Sequence, residues 1–421
     1  MDDLNLPEGW EVRKLGEVAE SVNYGYTASA VQKGKIKFLR ITDINGGIVN
    51  WEEVPFCKIE EKDIEKYKLQ NGDIVVARTG NSTGENYFFD EDCDVVFASY
   101  LIRFRINRKL AHPKHVWYQM RSNAWWEYIK NVKSGSAQAG ANAKVLSQFQ
   151  VILPPLKEQQ KIAEILSSLD EKIELNIKMN KTLEEMAKTI FKRWFIDFEF
   201  PNEEGKPYKS SGGEFINSEL GEIPKGWRVE KLKNICLKLA SGGTPSRKNE
   251  NFFNGDILWA KTKELNDNYI LDTEEKISEE ALYKSSAKLF PKNSVVMAIY
   301  ASPTVGKLGI LSKEATFNQA ACGMVVNEEM VSYEYLFLYL LSQREYLNNL
   351  ASGAAQQNLN VSIVKNLDIL IPKIDIIKKF KKIANPIFNQ ILNNQKEIQT
   401  LTKIRDTLLP KLITGKIRVR V

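Results

Sequence analysis

The chain repeats itself, and that repeat restricts its folding more than any other feature. LPEGWEVRKL, from Leu6 to Leu15, returns as IPKGWRVEKL, from Ile223 to Leu232, so that Trp10 matches Trp227 at a displacement of 217 residues. SGSAQAGAN (Ser134 to Asn142) returns as SGAAQQNLN (Ser352 to Asn360), and VILPP ending at Pro155 returns as ILIPK ending at Lys373, both at 218. Between these, LQNGDIVVA (Leu69 to Ala77) aligns with FPKNSVVMA (Phe290 to Ala298), and Phe97 with Phe317. One order kept at a near-constant displacement is the signature of a duplicated structural unit. With 421 residues, each copy is long enough to bury a core of its own.

Within each copy, short β-branched runs alternate with polar and glycine-rich turns. IKFLRI, GDIVVA and DVVFASYLIRFRI occupy the first copy, and GDILWA, NSVVMAIY, GKLGIL and CGMVV the second. Four to eight residues with turn punctuation read as strands. The opening GW.V.KL suits a first strand or a short helix. One amphipathic helix is expected late in each copy, HVWYQMRSNAWWEYIKNV and YEYLFLYLLSQREYLNNL, with the preceding HPKH as a loop. Their aromatic stripes are expected to pack in the core. The fold class is therefore mixed α/β (α+β), with globular regions over roughly residues 7–155 and 224–373.

A long helix follows each region. Steps of four and three mark Ile162, Leu166, Leu169, Ile173, Asn176, Asn180, Leu183, Ala187, Ile190 and Trp194, a heptad seam with a polar interruption. Adding 218 gives Phe380, Ala384, Ile387, Ile391, Asn394, Ile398, Leu401, Arg405, Leu408 and Leu412. Two such stripes remove each other from water by pairing, and the connector over 197–223 makes the pair antiparallel. Asn176 and Asn394 are then expected near its centre, bonded to each other and setting the register. About 39 helical residues at 1.5 Å each reach roughly 58 Å, enough to hold the two regions apart.

The formal charge of +6 permits a nucleic-acid partner without requiring one. MDDLNLPEGW has neither a basic nor an apolar leader segment, no stretch is apolar enough to span a bilayer, and a cytoplasmic protein without a membrane partner is expected. Cys57, Cys93, Cys236 and Cys322 lack CxxC spacing and read as buried thiols; with His112 and His115 as the only histidines, no zinc site is expected. Catalytic motifs are missing too. There is no GxxxxGK[ST] loop, and VILPPL lacks the acidic or amide residue of an NPPY or DPPY loop. Asp272, Glu274 and Lys276 in LDTEEK are an ordinary grouping in a chain with 27 % charged residues.

PEGWEVRKLGEV, the run from Ser134 to Leu166, and LEEMAKTIFKRWFIDFEFP from Leu183 to Pro201, with their counterparts in the second copy, resemble the specificity subunits of type I restriction-modification systems. The second copy departs where PLKEQQ (Pro155 to Gln160) becomes KIDIIK (Lys373 to Lys378). The resemblance implies a target recognition domain over 1–155, a spacer helix over 156–196, a connector over 197–223, a second recognition domain over 224–373, a second spacer helix over 374–413, and a tail over 414–421 near the first domain. It implies a non-catalytic subunit that reads a bipartite double-stranded DNA target, one half per domain. The implied partners are two methyltransferase subunits and restriction/translocase subunits; S-adenosylmethionine, ATP and Mg2+ belong to those partners, and this chain binds no cofactor or metal. The rival reading is a coiled-coil interaction scaffold without DNA specificity.

DNA contacts need positive charge or directed hydrogen-bonding groups on turns. In the first copy these are Lys33 and Lys35, then Arg78, Thr79, Asn81 and Ser82, then Ser134, Ser136 and Gln138. In the second they are Thr244, Ser246, Arg247 and Lys248, then Tyr300, Ser302 and Thr304, then Gln356 and Gln357. The SG.AQ element, shared by both copies, suits a turn or phosphate clamp better than base reading. The lysines of KKFKKI from Lys378 suit an acidic partner, DNA or a solvated face, and the aromatics from Trp194 to Phe200 either cap the second region or receive a partner.

Overall fold

A computed structural model describes residues 6–47, 49–134, 141–300, 304–352 and 358–420. It divides into two compact units, Met1–Lys172 with Leu401–Val421, and Ile173–Thr400.

The first unit holds β1 (Glu11–Lys14), β2 (Ala19–Tyr24), β3 (Ala30–Val31), β4 (Ile36–Leu39), β5 (Phe56–Cys57), β6 (Asp73–Ala77), β7 (Asn86–Phe89), β8 (Val95–Phe97), β9 (Leu101–Ile106) and β10 (Gln150–Leu153). They form a sheet ordered β2-β9-β6-β7, a smaller sheet ordered β3-β5-β4-β8, and the antiparallel pair β1-β10. The runs expected to be strands are strands because the interior admits them: every residue of β6, β7 and β8 is buried.

The second unit opens with a hairpin, β11 (Phe215–Ser218) and β12 (Gly221–Pro224). Then come β13 (Arg228–Lys231), β14 (Cys236–Ser241), β15 (Ile257–Ala260), β16 (Asn268–Ile270), β17 (Lys276–Ile277), β18 (Val295–Ala298), β19 (Leu308–Leu311), β20 (Thr316–Phe317), β21 (Ala321–Val326) and β22 (Asp368–Ile371). Their orders, β14-β21-β18-β19-β16, β17-β15-β20 and β13-β22, follow those of the first unit, except that β3 has no counterpart. The addition is β16, which runs parallel to β19 and which Asn268 ties to Glu184 of the first long helix at 2.7 Å.

The helix before β10 differs from expectation. HPKH is a helix start: His112 is the N-cap and Pro113 the first residue of Pro113–Gln119. Proline fits there because the first helical N–H has no intrahelical partner. The amphipathic stretch is two helices, Pro113–Gln119 and Asn123–Ser134, split where the Ser122 hydroxyl donates to the Gln119 carbonyl at 2.7 Å. Its counterpart likewise splits into Tyr333–Ser342 and Arg344–Ser352. Of the thiols, only Cys57 and Cys322 are buried; Cys93 and Cys236 are half-buried, and all four are free.

The long helices, Leu156–Phe191 and Ile374–Ile413, each contribute to both units. In each unit they run antiparallel. In the second, Asn180 meets Asn394 while Phe191, further along, meets Phe380, which lies earlier. In the first, Asp170 meets Arg405 while Glu158, earlier, meets Arg418, which lies later. All ten seam positions of the first helix are buried or half-buried. The asparagine pairing needs correction. Asn394 donates to Asn180 at 2.8 Å and Asn176 donates to Glu397 at 2.9 Å. Asn176 and Asn394 are equivalent positions, but the crossing point of the pair lies between residues 176 and 180, so each finds its partner about one helical turn away from the other.

The two ends of the helix pair are built differently. In the first unit Asp170 accepts from the Tyr118 hydroxyl at 2.8 Å, from Arg405 at 2.7 Å and from Arg121 at 3.3 Å. In the second, the positions 218 residues from Asp170 and Arg405 are Phe388 and Ala187, both buried in an apolar core. Asp170→Ala is expected to cost about 2 kcal/mol, because it leaves the Tyr118 hydroxyl without its acceptor and Arg405 with Asp406 as its remaining carboxylate. Urea unfolding at low and high salt checks this; a change under about 0.5 kcal/mol sinks it.

The same contrast holds at the tryptophans. Trp10 donates to buried Glu158 at 3.3 Å, and Arg418 of the C-terminal segment clamps that carboxylate with two bonds of 2.9 Å. Trp227 instead stacks on Phe200 at 4.8 Å and meets Phe195 and Phe198 edge-on or tilted. These aromatics therefore cap the second unit, and Trp194, Phe195 and Phe200 are too buried to receive a partner. Glu158 belongs to PLKEQQ; its counterpart in KIDIIK is buried Ile376, which has no charge to clamp.

Candidate nucleic-acid interface

In each unit several loops meet where the central strands of the larger sheet end. In the first unit, Arg78 follows β6: its N–H donates to the Tyr100 carbonyl at 3.0 Å, and its carbonyl accepts from Ala141 at 2.8 Å. In the second, Ile299 follows β18, donates to the Ala320 carbonyl at 2.8 Å and accepts from Leu359 at 2.8 Å. The frame extends to the next strand. Gly25, after β2, donates to Leu101 at 3.2 Å; Gly242, after β14, donates to Ala321 at 3.1 Å.

The first unit brings several expected residues to this end. Arg78, Thr79 and Ser82 are half-buried and Asn81 is exposed. Lys133 donates to the Asn81 carbonyl at 3.2 Å, which sets exposed Ser134, the last residue of its helix, beside the same loop. Lys33 and Lys35 are exposed on the turn between β3 and β4, and among the described residues no contact joins them to Arg78. Ser136 and Gln138 lie outside the described residues.

In the second unit the corner before β21 gathers the matching loops. Thr244 bonds to Gln319, next to the Ala320 that Ile299 meets, and Thr304 donates to the Tyr300 carbonyl at 3.1 Å. Ser246, Arg247 and Lys248 are exposed. Arg247 is already engaged: its guanidinium lies 4.1 Å from the centre of the Phe253 ring and pairs with Glu275 at 2.7 Å. Ser302, Gln356 and Gln357 lie outside the described residues. In LDTEEK, Glu274 pairs with Lys263 at 2.7 Å and Asp272 with Lys276 at 3.2 Å, so local lysines neutralise these carboxylates. Of the KKFKKI lysines, Lys381 pairs with Glu328 at 2.7 Å.

Two residues at the first unit's loop end escaped the sequence. Tyr24 and Tyr100 are 44 % and 58 % exposed, and the Tyr24 ring lies beside the Arg78 guanidinium. Tyr100 sits inside DVVFASYLIRFRI, which reads as one unbroken strand; the interruption at 98–100 is what turns it outward.

Among the described residues no three His, Cys, Asp or Glu gather to hold a metal ion, and no helix is long and apolar enough to cross a membrane. Burial pushes the Cys236 and Cys322 thiols up to about 12, which leaves them protonated and unreactive at neutral pH.

Comparison with known proteins agrees with this arrangement. The family profile described as "Type I restriction modification DNA specificity domain" matches residues 7–212 and 224–403. The chain is similar to the type I restriction enzyme MjaIX specificity subunit of Methanocaldococcus jannaschii, with 29 % identity over 98 % of this chain and 95 % of that one. It is also similar to the HindI specificity subunit of Haemophilus influenzae, with 28 % identity over 97 % of this chain and 99 % of the other. In fold it is similar to the crystal structure of a type I restriction-modification S subunit from M. genitalium, with a TM-score of 0.63 and 15 % identity over 97 % of this chain and 96 % of that one.

Proposed function

The chain belongs to the type I restriction-modification DNA specificity family, and from that premise we propose that each copy reads one half of a bipartite duplex target. It is the non-catalytic DNA-specificity subunit, which directs methyltransferase and restriction subunits to their site. In our reading residues 1–155 and 224–373 are the two readers, 156–196 and 374–413 set the gap between half-sites, 197–223 joins the halves, and the tail over 414–421 closes on the first reader. Two methyltransferase subunits and the restriction/translocase subunits complete the assembly, and S-adenosylmethionine, ATP and Mg2+ act there.

The observation that carries the reading is the repeated loop frame. Its backbone bonds recur in both units, whereas the side chains it presents do not, as Arg78 against Ile299 illustrates. A shared scaffold with different tips is what two readers of different half-sites require. Arg78, Asn81, Ser82 and Ser134 are the first reader's nearest candidates, and Thr244, Tyr300 and Thr304 the second's.

Exchanging residues 7–155 for those of a relative, in the complex with methyltransferase subunits, is expected to change one half of the methylated sequence and leave the other intact. Mapping methylated sites reads this directly. A change in both halves defeats the two-reader assignment, and an unchanged target favours the scaffold reading.

A further inference from the structure

We infer that Arg78 is the guanine-reading residue of the first unit, held ready by Tyr24 and the Ser99 carbonyl. The inference rests on the proposed reading of duplex DNA and assigns one base of the half-site to one side chain.

The argument begins with compensation. Most arginines at the surface of this chain are paired with carboxylates: Arg40 with Asp43, Arg247 with Glu275, Arg344 with Asp267 and Arg418 with Glu158. Among the described residues no carboxylate pairs with Arg78. Its guanidinium lies 5.1 Å from the centre of the Tyr24 ring, and its Nε donates to the Ser99 carbonyl at 3.0 Å. The ring is anchored in turn, because the Tyr24 hydroxyl accepts from the Ala143 N–H at 3.0 Å. The Ser99 carbonyl and the Tyr24 ring thus restrain the guanidinium before any DNA arrives. The terminal nitrogens form a planar fork matched to guanine O6 and N7 in a major groove, a pre-organised geometry that a lysine ammonium on its flexible stem does not hold.

The second copy supplies a contrast within the same chain. Ile299, Ser241 and Ala320 occupy the positions of Arg78, Tyr24 and Tyr100, while the backbone bonds around them are retained. The second copy therefore builds the same backbone frame without these side chains, which are confined to one copy. The alternative role, a phosphate contact, would need charge but not a tethered and oriented fork.

The test is methylation-site mapping and duplex binding by the assembled complex carrying Arg78→Ala or Arg78→Lys. The wild-type complex is expected to show a fixed guanine in the half-site that follows residues 7–155. Both variants should lower discrimination at that one position roughly 10- to 100-fold, with the other half-site unchanged as an internal control for folding. Three results overturn the inference: a first half-site without a fixed guanine, full discrimination in both variants, or a loss of affinity uniform across sequences in Arg78→Ala that Arg78→Lys restores. In each of these the complex still recognises a defined target. If the wild-type complex has no defined target at all, the reading of function has failed instead.

Discussion

Gly25→Ala and Gly242→Ala are each expected to lower the stability of their unit by roughly 3–5 kcal/mol and to weaken duplex binding with it. A Cβ at Gly25 would lie 2.2 Å from the Ala98 carbonyl oxygen and 2.3 Å from that of Phe97; at Gly242 it would lie 2.0 Å from the Phe317 oxygen. These are backbone atoms of the corner before β9 and β21, so no side chain can rotate away. Relief requires the end of β2 or β14 to move off that corner. Such movement breaks the bonds from Tyr26 to Phe97 (2.7 Å) and from Ser99 to Tyr26 (2.8 Å), or from Gly243 to Phe317 (2.9 Å). The loops after β6 and β18 hang from the same corner, which is why binding should fall too. Gly205→Ala is the control: open space surrounds it, its φ is +77°, and only the left-handed backbone penalty of about 1 kcal/mol applies. Urea midpoints measured for the three variants decide the matter. Equal, small shifts would show that the corner yields, and that the frame is less rigid than its bonds suggest.

Gly25 and Gly242 also show what a sequence exposes and what it hides. They stand 217 residues apart, in line with the repeat, and GYTAS shares its first, third and fifth letters with GGTPS, a match too short to stand out by itself. The repeat, the strands of β6, β9, β18 and β21, and the helix seam were legible because burial enforces their periodicity. The pairing of Asn394 with Asn180 was not, since a heptad pattern fixes which face is buried but leaves the offset between helices open by a turn. The interface was least legible. Arg78 could be named as a basic residue on a turn, but the Tyr24 ring and the Ser99 carbonyl that hold it come from a strand end and a turn distant in sequence. Arg247, named on the same grounds, is neutralised by Glu275, twenty-eight residues later.

Duplication with divergence explains the asymmetry between the units. The same places that hold Asp170, Arg405 and Glu158 in the first unit hold Phe388, Ala187 and Ile376 in the second. Both units pack the helix pair through apolar residues, but the first adds the ion pair of Asp170 with Arg405 where the second has Phe388 and Ala187. Ionic contacts weaken with salt, and apolar burial does not. The two units therefore answer differently to the solvent, although their strand orders largely match.

Acid should bring out that difference most sharply, through a single position. His115 is fully buried, and its Nε2 lies 3.0 Å from the Ile152 carbonyl and 3.1 Å from the Gln119 amide nitrogen. Its equivalent is Tyr335, whose hydroxyl donates to the Leu370 carbonyl at 2.6 Å in the matching strand. Burial lowers the His115 pKa from 6.5 to about 4, with only partial opposition from the bond to Ile152. As pH falls below 6.5 the unfolded chain takes up a proton that the folded chain refuses, so stability declines by about 1.4 kcal/mol per pH unit until the folded value is reached. The accumulated loss near pH 4 is about 3 kcal/mol. Tyr335, held well above its ordinary value of 10, has no charge to gain in this range. The first unit is therefore expected to unfold at a higher pH than the second, and hydrogen exchange followed peptide by peptide between pH 7 and 4.5 distinguishes them. His115→Tyr transfers the second unit's solution to the first, and His115→Gln keeps a donor in a smaller side chain. Either replacement should flatten the acid limb of the first unit by one proton's worth of slope; an unaltered limb in both would mean that His115 is not the group that titrates.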